Sequence, residues 1–283
     1  MALFTPVFFK RTASAVVFVG VMLFGLLYNI WSSLILVSLM QFLCYREYFN
    51  LMRKIDAETV WPQWLPWVIQ GVSLLLLWST SVAVGYQFVW QAFLCVPAAL
   101  VLATFLTSKN SMQAGMQALV GMLYIGLPML LLLQIRNFSE YIPVAILFMI
   151  WTSDTMAYIT GSLIGRTPLS KLSPKKTWEG TLGGVVLTIV AGGLWGYFSR
   201  TTGLLPYYNM ADWMILAFIV SATGPLGDLL ESKLKRTAGV KDSGFMMPGH
   251  GGALDRFDSL LIAIPFTFCY VWFFMPNLHA IKL

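Results

Sequence analysis

Charged residues are scarce in this chain of 283 residues. They make up 11% of the sequence, whereas roughly a quarter of the residues are charged in an ordinary soluble protein. Hydrophobic residues account for 58%, and the mean hydropathy is +0.75. This composition excludes a soluble globular protein and predicts an all-α, polytopic integral membrane protein.

Cysteine is also scarce. Cys44, Cys95 and Cys269 lie in or beside apolar runs, and no C-x-x-C spacing occurs. A disulfide framework and a zinc site are therefore excluded. No G-x-x-x-x-G-K-[ST] string occurs either, which excludes a P-loop. Lys10 and Arg11 precede an apolar run without a small-x-small cleavage site, so we expect a retained first span instead of a cleaved signal peptide.

Apolar runs recur along the whole chain, and each is long enough to cross a hydrocarbon layer of about 30 Å. We expect about nine transmembrane helices. They are Ala13–Tyr28, Trp31–Cys44, Trp64–Val84, Trp90–Leu106, Met112–Gln134, Ile142–Leu163, Thr181–Phe198, Trp213–Leu230 and Ser259–Phe274. The division between the first two rests on Asn29, and one bent span is the alternative.

The basic residues predict the orientation of these spans, because Lys and Arg are retained on the cytosolic side. With the N-terminus inside, nine spans leave only Arg136, Arg200 and Lys282 of the 18 basic residues outside. We therefore expect a multi-pass protein of the cytoplasmic membrane, with its C-terminus outside.

Polar residues divide the chain into two regions of one membrane domain. Residues 1–141 carry no catalytic constellation and are expected to be scaffold. Residues 142–283 carry carboxylates and two polar cytosolic connections, 166–180 and 231–258, and are expected to be catalytic. In and beside the predicted span Thr181–Phe198, Gly180/Gly184 and Gly192/Gly196 form small-x-x-x-small pairs. These pairs predict close packing of this helix against the catalytic spans or against a second protomer.

Asp154 lies within an apolar span, where an ionised carboxylate needs a wet cavity, a cation or a partner. A helix–helix hydrogen bond without a catalytic part is the alternative. Near the end of the eighth span, polar residues recur at intervals of three or four and share one helix face. They are Ser221, Pro225, Asp228, Ser232 and Lys235. Gly224-Pro225 is expected to break or kink that helix, and such breaks often mark ligand sites.

The next stretch has the composition of a phosphate site: Lys241-Asp242-Ser243-Gly244, Pro248-Gly249-His250-Gly251-Gly252 and Asp255-Arg256-Phe257-Asp258. Glycines allow close approach to phosphate oxygens, while Lys and Arg neutralise their charge. Asp255 and Asp258, three apart, suit Mg²⁺ that bridges substrate phosphates. By its residue type, His250 could act as a general base, bind a metal ion or donate a hydrogen bond to a phosphate oxygen. A solvated re-entrant turn is the alternative for this stretch.

The connection Ser173–Gly180 places Lys175 and Lys176 beside Trp178 and Glu179 just before a membrane helix. Anchoring at the membrane interface explains Trp178 and one lysine. The density of charged groups favours a functional role, in which the lysines contact a substrate phosphate.

These motifs together resemble the phosphatidate cytidylyltransferase family. The resemblance rests on Ser232-x-Leu234-Lys235-Arg236 and the phosphate-site stretch that ends at Asp258, supported by Asp154, Ser173–Gly180 and Gly224–Asp228. It covers the C-terminal half strongly and the N-terminal half by hydropathy alone. Met247 and Ala253 depart from the family pattern without removing a charge.

The resemblance implies transfer of CMP from CTP to phosphatidic acid, giving CDP-diacylglycerol and diphosphate. It implies Mg²⁺ as cofactor, a second cation being allowed, and a homodimer in a lipid bilayer without a nucleic-acid partner. The implied catalytic residues are Asp228, Asp255, Asp258 and Lys241, and the implied metal ligands are Asp228, Asp255 and Asp154. The implied substrate-binding residues are Lys175, Lys176, Ser232, Lys235, Arg236, His250, Gly251, Gly252 and Arg256.

Two other functions compete with this one. A transporter would also carry buried carboxylates and broken helices, but it predicts an internal repeat, and none is apparent. A CTP-using lipid kinase would share the nucleotide and metal but use an alcohol acceptor, and the full motif string argues against it.

Overall fold

The computed structural model describes residues 6–58, 63–82, 111–170, 172–246 and 251–275. Within these ranges the α-helices are α1 (Pro6–Leu27), α2 (Ile30–Ile55), α3 (Leu65–Val82), α4 (Ser111–Gly121), α5 (Leu127–Phe138), α6 (Tyr141–Ile164), α7 (Trp178–Thr201), α8 (Met210–Thr237) and α9 (Leu254–Phe274). A π-helical turn, Met122–Gly126, joins α4 to α5. Strands β1 (Pro168–Ser170) and β2 (Ser173–Thr177) pair antiparallel.

The helical membrane architecture is confirmed, with a small correction. Five stretches of the described residues are long and apolar enough to cross a membrane: Gln113–Phe138, Tyr141–Ile164, Trp178–Thr201, Met210–Thr237 and Leu254–Phe274. This finding supports a polytopic protein but not the count of about nine. The correction is the β1–β2 hairpin, which lies in the polar connection 166–180.

The other predicted spans do not meet this criterion of length and apolar character, each for a different reason. Thr12–Leu27 and Leu65–Ser79 are apolar but shorter. Helix α2 runs on past Cys44 to Ile55 and so gains four charged residues, Arg46, Glu47, Arg53 and Lys54. The predicted span Trp90–Leu106 lies outside the described residues.

Asn29 separates the first two helices, as predicted, and the single bent span is wrong. The Asn29 side chain accepts a hydrogen bond from Ser32 N at 2.7 Å, and Ser32 Oγ accepts one from Asn29 N at 3.1 Å. This reciprocal capping satisfies backbone N–H groups that the start of α2 leaves without intrahelical partners. Helix α2 then extends beyond its predicted end because Tyr45, Tyr48 and Leu51 are buried.

The first of two compact units comprises Met1–Asn137 and Leu234–Phe257. Helix α2 forms polar cross-links to other helices of this unit. Tyr45 OH and Ser73 Oγ form a hydrogen bond of 2.8 Å, and Tyr48 OH donates to the carbonyl oxygen of Gln117 at 2.8 Å. The rings of Phe18 on α1 and Phe257 on α9 lie 5.8 Å apart. The 234–257 segment is thus part of the same packing as the N-terminal helices.

The second unit comprises Phe138–Lys233 and Asp258–Leu283, and its helices pack through glycine. A Cβ atom at Gly184 of α7 would lie 2.9 Å from the carbonyl oxygen of Ser153 on α6. A Cβ atom at Gly192 would lie 2.6 Å from Ala217 Cβ on α8. The glycine pairs therefore serve close packing of α7 against α6 and α8, which confirms the predicted role.

Replacing Gly184 should weaken this packing. We expect Gly184→Val to lower the free energy of unfolding by about 2 kcal/mol, because an added side chain in a filled contact forces the helices apart. Thermal unfolding in detergent measures the change. The control is Gly20→Val, since an added Cβ there meets no atom within 4 Å. Equal unfolding midpoints for the two variants would contradict the packing account.

Candidate active site

The second unit brings together Asp154, Lys176, Asp228 and Asp258, a group that we call the Asp228 cluster. Lys176 Nζ lies 2.8 Å from Asp228 Oδ2. Asp258 is only 7% exposed, and its charged neighbours are Asp228, Lys176 and Asp154. Residues from three helices and one strand, far apart in sequence, therefore lie near one another, but the predicted ligand Asp255 is not among them.

The β1–β2 hairpin positions Lys176 in this cluster. The Glu179 carboxylate accepts hydrogen bonds from Thr167 Oγ1 at 2.8 Å and from the backbone N–H groups of Arg166 and Thr167, each at 3.1 Å. Thr177 Oγ1 caps α7 by accepting from Gly180 N at 3.1 Å. Both ends of the hairpin are thereby tied to the start of α7, and Lys176 lies immediately before the cap.

Glycine allows α8 and α9 to approach each other beside Asp228. A Cβ atom at Gly227 would overlap the carbonyl oxygen of Asp258. At Gly224 a Cβ atom would lie 3.5 Å from Ser259 Cβ. Any side chain at position 227 would push the two helices apart and separate Asp228 from Asp258.

Of the break or kink expected at Gly224-Pro225, the break is wrong, because α8 continues through Pro225 to Thr237, while the kink stays a prediction. Proline removes a single backbone donor from the helix. Burial of Val220, Ser221 and Gly227 on both sides of Pro225 keeps the helix in place. The functional residues of α8 therefore lie on one continuous helix.

The Asp228 cluster contains three carboxylates and one lysine, so it suits an additional cation. Among the described residues, no three Asp, Glu, His or Cys side chains converge closely enough to hold a metal ion by themselves. Mg²⁺ usually keeps several waters and takes one or two carboxylates, with substrate phosphates as further ligands. Asp228 and Asp258 fit this kind of site, with Asp154 beside them.

The first unit holds a second group of predicted residues at the N-terminus of α9, which we call the Glu47 cluster: Glu47, Lys235, Ser243, Gly252 and Asp255. Lys235 Nζ donates to Asp255 Oδ1 at 2.5 Å, and the two side chains are 12% and 9% exposed. Asp255 Oδ2 accepts from Ser243 N at 3.0 Å, Ser243 Oγ at 2.8 Å and Gly252 N at 2.8 Å. Four hydrogen bonds from the protein therefore reach the Asp255 carboxylate.

Glu47 is the residue of this cluster that the sequence analysis missed. It lies on α2, is 8% exposed, and accepts from Ser243 Oγ at 2.7 Å and from Ala253 N and Leu254 N at 2.8 Å each. Residues 1–141 were expected to be scaffold alone. The available signal was that Glu47 is the first acidic residue of the chain and is surrounded by Tyr45, Tyr48 and Phe49.

The remaining predicted residues have fewer contacts. Lys175, Arg236, Lys241 and Arg256 are exposed, Ser232 is half-buried, and Arg236 Nη1 donates to the carbonyl oxygen of Val240 at 3.2 Å. Gly251 has φ of 79°, a left-handed conformation that favours glycine. His250 lies outside the described residues. The Gly252 N–H is already donated to Asp255, so it is engaged within the loop instead of facing a phosphate.

Comparison with known proteins gives the same family along most of the chain. Residues 9–274 match the model of the Cytidylyltransferase family. The chain is 35% identical to the phosphatidate cytidylyltransferase of Bacillus subtilis, over 70% of this chain and 76% of that protein. It is 32% identical to that of Synechocystis sp., over 95% of this chain and 98% of that protein. A match to the Haemophilus influenzae protein of the same name is 43% identical, over 46% of this chain and 45% of that protein.

The Lys235–Asp255 pair should contribute strongly to stability. We expect Lys235→Met to lower the free energy of unfolding by about 3 kcal/mol, because it leaves a largely buried carboxylate without its cation. The measurement is thermal unfolding in detergent. Lys241→Met serves as control, since Lys241 is exposed and a surface change is expected to stay within about 0.5 kcal/mol. A similar small effect for both variants would refute the prediction.

Proposed function

Because this chain belongs to the cytidylyltransferase family, we propose that its activity is that of a phosphatidate cytidylyltransferase. It transfers CMP from CTP to phosphatidic acid and releases diphosphate, and the lipid product is CDP-diacylglycerol. The observation that carries this conclusion is the similarity to a protein of that name over 95% of this chain. The apolar helices fit a substrate that resides in the bilayer.

The reaction is a displacement at phosphorus. A phosphate oxygen of phosphatidic acid forms a bond to the α-phosphorus of CTP, while the bond from that phosphorus to the oxygen bridging to the β-phosphate breaks. The electron pair leaves with diphosphate. Because the nucleophile is already an anion, no side chain has to remove a proton, and catalysis rests on positioning and charge neutralisation.

Asp228 and Asp258 are the residues that we assign to hold Mg²⁺, with Asp154 as a further carboxylate and with one or two ions. When bound, Mg²⁺ would neutralise negative charge on substrate phosphate oxygens. Support for this assignment comes from the burial of Asp258 and from the presence of Asp228 and Asp154 beside it. Asp255 ranks below them as a ligand because four hydrogen bonds already converge on its carboxylate.

Lys176 is the residue that we assign to bind a phosphate beside these carboxylates. Its ammonium group has three N–H donors, and the ion pair with Asp228 engages one side of it. The pair holds the lysine in place, and the other donors can bind a substrate oxygen. Lys175, Arg236, Lys241 and Arg256 are exposed cations that can hold further phosphate oxygens.

The finer topology belongs to the same proposal. Nine spans, with the N-terminus inside and the C-terminus outside, put the hairpin and the 231–258 connection on the cytosolic side, where CTP is present. The distribution of Lys and Arg supports this orientation. We also propose a homodimer with no nucleic-acid partner.

The carboxylates can be tested by transfer of label from radiolabelled CTP to lipid-soluble product, with phosphatidic acid present and with or without Mg²⁺. We expect Asp228→Asn and Asp258→Asn each to reduce kcat at least about 100-fold, equivalent to about 2.7 kcal/mol. Asp212→Asn, at the other end of α8, is the matched control and should stay within about threefold of the parent protein.

The possible results separate the family activity from the metal assignment. Product that requires phosphatidic acid and Mg²⁺ and is lost in both variants supports the whole proposal. Full activity in the variants would remove Asp228 and Asp258 from the metal site and leave the activity standing. Absence of lipid product from folded parent protein would contradict the activity itself.

The two adjacent lysines should differ in their effect. We expect Lys176→Ala to lower kcat/KM at least about tenfold more than Lys175→Ala, because only Lys176 pairs with Asp228 among the described contacts of the hairpin. Steady-state kinetics with CTP and phosphatidic acid in mixed micelles give both values. Equal losses would mean that the hairpin serves as a diffuse basic patch.

A further inference from the structure

Glu47 binds the loop that carries much of the proposed phosphate site. Its two carboxylate oxygens accept three hydrogen bonds of 2.7–2.8 Å, one from the Ser243 hydroxyl and two from the backbone of Ala253 and Leu254. The side chain is 8% exposed. A carboxylate so deeply buried is held in one place by its donors, and it holds those donors in return.

The start of α9 depends on this carboxylate because its own sequence offers no cap. Ala253 precedes the first helical residue and has no side-chain acceptor, whereas Ser, Thr, Asp or Asn is usual there. Glu47 Oε1 accepts from Ala253 N, and Oε2 accepts from Leu254 N. A residue of α2 therefore supplies acceptors for the helix N-terminus and adds negative charge there to that of Asp255 in the first turn.

The Ser243 hydroxyl connects Glu47 to Asp255. Ser243 Oγ lies 2.7 Å from Glu47 Oε2 and 2.8 Å from Asp255 Oδ2. A hydroxyl has one proton, so both carboxylates share a single donor. Movement of Glu47 would therefore alter the hydrogen bonding of Asp255.

Two glycines of the loop close around the Glu47 carboxylate. A Cβ atom at Gly244 or at Gly252 would overlap a Glu47 oxygen. The loop backbone therefore touches Glu47 directly on both sides of the segment that includes His250, and neither glycine tolerates a side chain without displacing Glu47.

We propose that Glu47 is a positioning residue for catalysis, which sets the place of Ser243, of residues 251–255 and thereby of the proposed phosphate contacts of Lys241 and Arg256. This inference rests on the proposed function. Displacing a reacting group by about 1 Å can cost about 100-fold in rate, so loss of Glu47 should impair turnover even though it binds no substrate.

The test uses Glu47→Gln in the full chain, with hydrogen–deuterium exchange and steady-state kinetics. Gln keeps the size but places an NH₂ group against a donor. We expect faster exchange at the amides of 252–254, unchanged exchange in α6 and α7, and a fall in kcat/KM of at least about tenfold. The KM for CTP should rise at least about threefold, while that for phosphatidic acid stays unchanged, since exposed cations of the loop suit the triphosphate.

Two further variants make the test specific. Glu58→Gln is the matched control, because Glu58 is an exposed carboxylate just after α2, and it should match the parent protein. Ser243→Ala removes the shared hydroxyl while leaving both backbone bonds to Glu47, so a smaller loss is expected. If Glu47→Gln does not fold, Ser243→Ala must still lower kcat/KM and accelerate exchange at Gly252.

Unchanged kinetics in Glu47→Gln would overturn the inference, whatever the exchange shows. So would faster exchange in every helix with both KM values unchanged, because that is the behaviour of a purely structural residue. If the parent protein made no CDP-diacylglycerol, the proposed function would fail. Exchange at 252–254 would then still decide whether Glu47 positions the loop.

Discussion

Two groups of buried carboxylates shape the candidate site, and each is accompanied by a different set of partners. An ionised carboxylate away from water is costly unless a cation or several N–H donors accompany it. Asp258, 7% exposed, lies among two further carboxylates and Lys176, and Glu47, 8% exposed, takes backbone donors from the start of α9. The Asp228 cluster thus places three carboxylates beside Lys176, an arrangement that suits a cation, whereas the described hydrogen bonds of the Glu47 cluster come from the protein itself.

These two forms of compensation explain the roles that we assign. Carboxylates that lie close to one another beside a single lysine are suited to metal-assisted phosphoryl chemistry. Carboxylates surrounded by protein donors are suited to fixing a backbone. Asp255 belongs to the second kind, because Lys235, Ser243 and Gly252 supply its donors. The N-terminal helices consequently contribute more than scaffolding, since α2 supplies the acid that organises the loop before α9.

Local patterns in the sequence predicted much of the site. Asp154 stood out within an apolar span, Asp228 and Asp258 near span ends and Lys176 in a polar connection, and the structure brings them near one another. The glycine pairs of α7 and the division of the first two helices at Asn29 were equally readable, because each acts within a few residues. Glu47 was missed because its partners lie about 200 residues away. The continuity of α8 through Pro225 was missed because packing on both sides outweighs one lost hydrogen bond.

Mn²⁺ binding is the decisive measurement for the proposal that Asp228 and Asp258 together hold a divalent cation. Free Mn²⁺ can be followed by electron paramagnetic resonance in titrations of the purified protein, with and without CTP. The account predicts one or two ions per chain, bound more tightly when CTP is present, and loss of this binding in the Asp228→Asn, Asp258→Asn double variant. Unchanged Mn²⁺ binding in that double variant would contradict it.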